Sequence, residues 1–262
     1  MRGSTRARRL WAWAIGAIAM LGASAAMAGP PYITDDPEPV ELHHWEVYAF
    51  SAGAVDGRGA TGQGPALEVN YGAAPNLQLH LIAPLAYDAT PGSPMTMGIG
   101  DTELGFKYRF VTPGKDDWFP QVGVFPLLEV PTGDARRGLG AGYVQGFIPV
   151  WIQKDLGKWT TYGGGGYWIN PGPDNRNFWF AGWLLQRQVT DKLALGAEVF
   201  HTTSNQVGRP ETTGFNLGGQ YDFTDHYHLL FSAGQGGQLY AVDAAAVSPR
   251  AETYYVAFQW TF

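Results

Sequence analysis

From Trp45 to the carboxy terminus the chain alternates short runs of period-two hydrophobicity with polar punctuation rich in Gly and Pro. In the final run Tyr254, Val256, Phe258, Trp260 and Phe262 fall on one face. Thr253, Ala257, Gln259 and Thr261 fall on the other, with Tyr255 departing from the pattern. Successive side chains of a strand point to opposite faces, so such a run predicts a strand with one oily and one wetter side. Leu104, Phe106, Tyr108 and Phe110 oppose Glu103, Gly105, Lys107 and Arg109 in the same way. Twelve strands are predicted, near 44–55, 64–73, 77–87, 101–111, 119–130, 143–153, 159–169, 177–189, 193–201, 212–223, 228–236 and 251–262. No sustained i, i+3, i+4, i+7 pattern predicts a helix between them.

The connections alternate in length. Residues 74–76, 112–117, 155–158, 190–192 and 224–226 are short turn compositions, whereas 56–63, 88–100, 131–142, 170–176, 202–211 and 237–250 are longer. Short turns at one end and long loops at the other describe an up-and-down meander with both termini on the short-turn side. Strands cross hydrocarbon only as a closed barrel, because each backbone N–H and C=O then needs a partner from the chain itself. The expected fold class is therefore all-β: a closed antiparallel up-and-down transmembrane β-barrel of about twelve strands, with short periplasmic turns and longer extracellular loops. Trp45, Trp118, Phe119, Trp159, Tyr227 and Trp260 at the turn end, and Trp168, Phe178 and Trp179 at the loop end, are expected to form two interfacial belts. The aromatic face of the closing strand doubles as the expected membrane-insertion signal, read by a barrel-assembly machinery.

Composition supports this reading. Aromatic residues make up 14% and charged residues 15% of the chain, with 36 Gly and no Cys, so disulfides and thiolate metal sites drop out. Arg2, Arg6, Arg8 and Arg9, the apolar Leu10–Leu21 run and Ala26-Met27-Ala28 predict an export leader cleaved after Ala28. Losing its four Arg takes the formal net charge from −6 to −10, which disfavours a nucleic-acid partner. Residues 29–43 follow as a Pro-rich acidic lead-in, extended because proline at this density forbids helix and ladder alike. It is assigned to the periplasm, with a fold-back into the barrel mouth as the alternative. Residues 44–262 form the barrel.

The wetter faces supply the candidate lumen lining: Glu46, Glu68, Asn70, Gln78, His80, Glu103, Lys107, Arg109, Gln121, Glu129, Gln145, Glu198, Asn216, Gln220 and Gln259. Mixed charges across a lumen act as a selectivity filter, or else satisfy one another in a plugged interior. Pro126 and Pro149 each lack the N–H of a ladder position and are expected to lie close together, making a gap or bulge in the wall. The His201–Asn205 segment carries imidazole, hydroxyl and amide groups but no recognised nucleophile motif. Adjacent His43 and His44 point to opposite faces of an extended chain, which argues against a shared metal site. Gly163–Gly166 lacks the Lys-Ser/Thr of a phosphate loop and reads as a place where the strand bends or lumen side chains pass. No cofactor or metal is expected.

Pro31-Tyr-Ile-Thr-Asp-Asp-Pro-Glu-Pro-Val40, running into His44-Trp45-Glu46, and Pro126-Leu-Leu-Glu-Val-Pro-Thr-Gly-Asp134, followed by Gly138-Leu-Gly140, resemble the outer-membrane β-barrel transporters of the meta-pathway phenol-degradation family. The resemblance implies an outer-membrane transporter taking up aromatic compounds. The expected function is a channel, not an enzyme, passing small solutes, aromatic or otherwise apolar, by passive diffusion; the alternatives are a barrel enzyme acting on lipids and a structural or surface-interaction barrel with a plugged lumen. Lipid and the small solute would be its partners.

Overall fold

The computed structural model describes residues 30–114, 118–236, 248 and 250–262. The predicted leader, the tip of the 112–117 turn and most of the 237–250 loop lie outside the described residues. The described residues build one antiparallel sheet, with the lead-in inside it and a three-residue 3-10 turn at Ala135–Arg137. Its strands are β1 (Trp45–Asp56), β2 (Gly59–Ala74), β3 (Leu77–Ala89), β4 (Thr96–Ile99), β5 (Thr102–Val111), β6 (Gln121–Val124), β7 (Leu127–Val130), β8 (Gln145–Leu156), β9 (Trp159–Ile169), β10 (Phe178–Thr190), β11 (Leu193–Thr202), β12 (Thr212–Asp222), β13 (Tyr227–Gln235) and β14 (Glu252–Thr261).

These fourteen segments make twelve spans. β4 and β5 both pair with β3, and β6 and β7 both lie between β5 and β8, so each couple is one span broken by two residues. Each span is bonded to two neighbours, and β1 pairs with β14 to close the ring, in the register Val47↔Trp260 and Ala49↔Phe258. The seam is fastened at its end by Trp45 N–H donating to Phe262 O at 2.7 Å and Phe262 N–H donating to Trp45 O at 3.1 Å. Closure leaves no open sheet edge for hydrocarbon to meet.

The strand boundaries depart from the sequence reading mainly at the loop end. Within the predicted 56–63 loop, β1 and β2 continue to Asp56 and from Gly59, leaving a two-residue turn. β3 and β4 likewise form a hairpin inside the predicted 88–100 loop. Ala60-Thr-Gly-Gln-Gly64 is too small and polar to signal a strand, yet a ladder asks only for backbone.

The outward face is apolar: Leu67, Phe106, Ile148, Val199, Leu217 and Phe258 are all exposed. At the turn end Trp45, Trp118, Phe119, Trp159, Tyr227 and Trp260 point outward as expected, as does Trp179 at the loop end. Val256, Phe258, Trp260 and Phe262 of the closing strand do the same. Tyr254 shares their face but is half-buried, its hydroxyl bonded to Tyr87 and 3.3 Å from Ser51 Oγ. Trp168 and Phe178 do not join a belt. They share the inward parity of Gly166 and Phe180 and sit inside the barrel.

The lead-in is not a periplasmic tail. It runs through the lumen, with Thr34 and Asp36 fully buried and Tyr32 and Val40 nearly so. Its proline content bars it from a ladder but not from bonding to side chains that project inward. It joins the wall beside β2, where His43 N–H donates to Gly72 O at 2.7 Å and Gly72 N–H to His44 O at 3.0 Å. Gly72 is required there: a Cβ would stand 1.9 Å from Glu41 O. A Cβ on Gly182 would meet Thr34 Oγ1 at 2.2 Å.

Candidate functional site: the filled lumen

The polar alternates named from the sequence all fall on the inward parity, and several of them hold the lead-in. The Glu198 carboxylate on β11 accepts from Ile33 N–H at 3.0 Å and Thr34 N–H at 2.8 Å, and is steadied by Asn216 Nδ2 at 2.6 Å. Gln78 Oε1 accepts from Val40 N–H at 2.9 Å. Lys107 Nζ lies 2.9 Å from Asp35 Oδ1 and 3.4 Å from Asp36 Oδ2. Arg109 is 3.5 Å from Glu38, which also takes the Gln153 amide at 3.1 Å. Burial pushes the Asp36 and Glu38 carboxyls upward, with Lys107 and Arg109 respectively pulling the other way. The acidic lead-in thus answers the two inward cations of β5.

Most of the remaining polar residues bond to one another. His80 sits between Asn70 at 2.7 Å and Glu103 at 2.8 Å, with Glu68 3.7 Å away. Glu46 accepts from Tyr48 OH at 2.7 Å, and Tyr48 OH accepts from Gln259 at 2.8 Å. Gln220 donates to Asp222 at 2.8 Å. Gln121 accepts from Arg109 at 2.6 Å, and Gln145 donates to Asn170. Glu129 stands opposite Glu103 and Gln145 in the register. In this conformation much of the lining is bonded to the inserted segment or to itself.

A second layer of the lumen is aromatic. Phe125, Phe147, Trp151, Phe180 and Phe200 form one buried cluster, with Ile33, Leu127 and Trp168 packed against it. Tyr48, Phe50, Leu230 and Tyr255 form another across the barrel. These residues were absent from the sequence-derived lining. The available signal was the loss of alternation: Phe147-Ile148, Val150-Trp151, Phe178-Trp179-Phe180 and Trp183-Leu184 are apolar at both parities. A strand oily on both faces has a second apolar surface to cover. The Gly163–Gly166 run makes room for it. Gly164 faces Trp151 across the β8–β9 pair, and a Cβ there would lie 3.0 Å from the indole Cε3.

The wall is interrupted beside this cluster. β6 and β7 keep one register against both neighbours: Tyr108↔Val124 continues to Gly105↔Leu127, and Val124↔Val150 to Leu127↔Phe147. Phe125 and Pro126 between them are unpaired on the β8 side, where that register sets Pro149 against Phe125. The feature is a gap in the ladder without a bulge, and the two prolines are diagonal neighbours in it.

No family model matches the chain, and no curated protein does either. Among solved structures it is similar to the COG4313 outer membrane channel from Pseudomonas putida F1, at 15% identity and a TM-score of 0.69, over 90% of this chain and 100% of that one. It is also similar to the NanC porin, at 9% identity and a TM-score of 0.57, over 82% of this chain and 98% of that one. At these identities the likeness establishes a shared fold.

The other sequence candidates are not brought together. Ser204 Oγ lies 2.7 Å from both Gln206 O and Arg209 O, either of which can take its one proton, while His201 Nδ1 pairs with Thr213 Oγ1 at 2.9 Å. His43 Nδ1 lies 3.3 Å from Tyr71 OH and His44 Nδ1 3.1 Å from Leu42 O. Among the described residues no group of three His, Asp or Glu is arranged to hold a metal ion.

Proposed function

We propose that the chain is a bacterial outer-membrane channel, exported with loss of residues 1–28, that passes small apolar and aromatic compounds by passive diffusion. The observation that carries this reading is the division of the lumen. Its polar layer is filled by the lead-in, while its aromatic layer abuts the β6–β7 span, whose ladder to β8 is broken between Val124 and Leu127. Phe178 stacks on Trp168 at 5.9 Å, and Trp168 on Phe147 at 4.7 Å. These rings form an apolar path from the loop end to the interruption. A solute following it leaves sideways at Pro126 and Pro149 into lipid, without crossing the charged layer. No binding free energy goes into chemistry; selectivity comes from the lining.

The filled polar layer favours a second reading, a plugged structural barrel with no transport role. One experiment separates the two. Intact cells with and without the protein are given a labelled alkylbenzene and a labelled sugar of similar size. Faster accumulation of the alkylbenzene alone supports the channel, and equal rates support the plugged barrel. Amide exchange that is uniformly slow through 121–130 and 145–156 would end the sideways exit.

A further inference from the structure

Trp151 projects from β8 into the aromatic cluster and is 2% exposed, yet its indole N–H has no hydrogen-bond partner among the described residues. The rings around it are set on edge. Phe147 is 6.4 Å away at 67° and Phe180 6.1 Å away at 70°. Phe180 in turn stacks on Phe200 at 6.3 Å. Edge-on and offset are the arrangements that aromatic pairs prefer, so a ring taking the place of Ile33 finds favourable geometries against these edges and faces. The lead-in contributes one side chain to this cluster, Ile33. Its backbone N–H is fixed by Glu198, so Ile33 is held in the cluster by a contact made elsewhere.

We propose that this cluster is a binding site for a neutral aromatic ring carrying one acceptor oxygen, and that Ile33 is the chain's own occupant of it while the lead-in is seated. The inference rests on the apolar-solute reading and deepens it. Indole nitrogen donates and never accepts, so the group it awaits is an oxygen with a lone pair. A buried donor left without a partner is costly, and a ligand oxygen removes that cost. The indole is surrounded by carbon from Phe147, Phe180 and their neighbours, where an unpaired charge is costly, and Lys107, 5.0 Å over the Phe125 ring, is already paired with Asp35 and Asp36. An aromatic ketone, ether or phenol fits all three conditions; an ionised carboxylate does not, and a plain hydrocarbon leaves the N–H bare.

The test uses the mature protein in lipid nanodiscs, with equilibrium dialysis of two probes and empty discs subtracted. Acetophenone carries the acceptor oxygen. α-Methylstyrene has nearly the same shape with a CH2 in its place. Trp151→Phe keeps an aromatic ring and removes the N–H. It is expected to weaken acetophenone about tenfold, the size of one hydrogen bond, and to leave α-methylstyrene unchanged. Ile33→Ala is expected to tighten both probes several-fold. If Trp151→Phe changes both probes equally or neither, the donor role is overturned. If Ile33→Ala changes neither, the occupant role is overturned. Either result leaves the apolar-solute reading standing. If neither probe binds the wild-type protein or the Ile33→Ala variant, that reading falls and this inference with it.

Discussion

Lys107 Nζ stands 2.9 Å from Asp35 Oδ1, tying β5 to a residue 72 positions earlier in the chain. The ammonium is almost wholly buried and also meets Asp36 at 3.4 Å. Removing one partner of a buried charge pair costs about 3–5 kcal/mol, because the other charge is left uncompensated. Lys107→Met strands Asp36 inside the barrel. The lead-in is then expected to leave its seat, and single-channel conductance in a planar bilayer to rise several-fold. Conductance equal to wild type would mean that the other contacts suffice to hold it.

Glu198→Gln probes the opposite side of the lumen. The substitution is isosteric but exchanges one acceptor oxygen for a donor facing Ile33 N–H or Thr34 N–H. The lost charge-assisted bond is worth about 1.5–3 kcal/mol. Exchange at the Ile33 and Thr34 amides should accelerate by about tenfold or more, with the β10–β11 and β11–β12 ladders unaffected. Acceleration across those ladders as well would show that Glu198 supports the wall rather than the insert.

Gly72→Ala places a methyl where Glu41 O now lies, 1.9 Å from the new carbon. Backbone cannot swing aside as a flexible side chain does, and overpacking of this kind costs about 1–3 kcal/mol. The expected result is faster proteolysis of residues 30–43 in detergent, while the barrel keeps its resistance to unfolding by heat. A fall in barrel stability without faster cleavage would place the strain in β1–β2 instead.

The wall interruption yields a covalent test. Continuing the register sets Pro126 opposite Ile148, both facing outward, and residues opposed in an antiparallel pair lie within disulfide reach. Pro126→Cys with Ile148→Cys should therefore crosslink on oxidation. Accumulation of an apolar solute should slow in the oxidised form and recover on reduction, with ion conductance unchanged throughout. Unaltered accumulation in the crosslinked form would put the exit elsewhere.

The barrel was legible because its outer face obeys one rule. Leu104, Phe106, Tyr108 and Phe110 must all be oily and their alternates need not be, so span positions follow from parity alone. The lumen obeys no such rule. Its alternates are polar where they meet Asp35, Asp36 and Glu38, and aromatic around Ile33. A reading that equates inward with polar finds Glu198 and Lys107 but passes over Trp151 and Phe180. The place of the lead-in was hidden for a related reason. Nothing in Pro30–Val40 distinguishes a solvated tail from an insert until the inward cations of β5 are seen to pair with Asp35, Asp36 and Glu38. The ladder gap at Phe125 and Pro126 was visible, because proline announces a missing N–H wherever it falls.

The insert ends where the first strand begins, and only His43 and His44 separate the Leu42–Gly72 bridge from Trp45. A stopper on so short a leash stays at high effective concentration beside its seat. An insert drawn from its seat would therefore meet that seat again within the same molecule, and in a channel of this design the open time would be set by how quickly one peptide finds its way home.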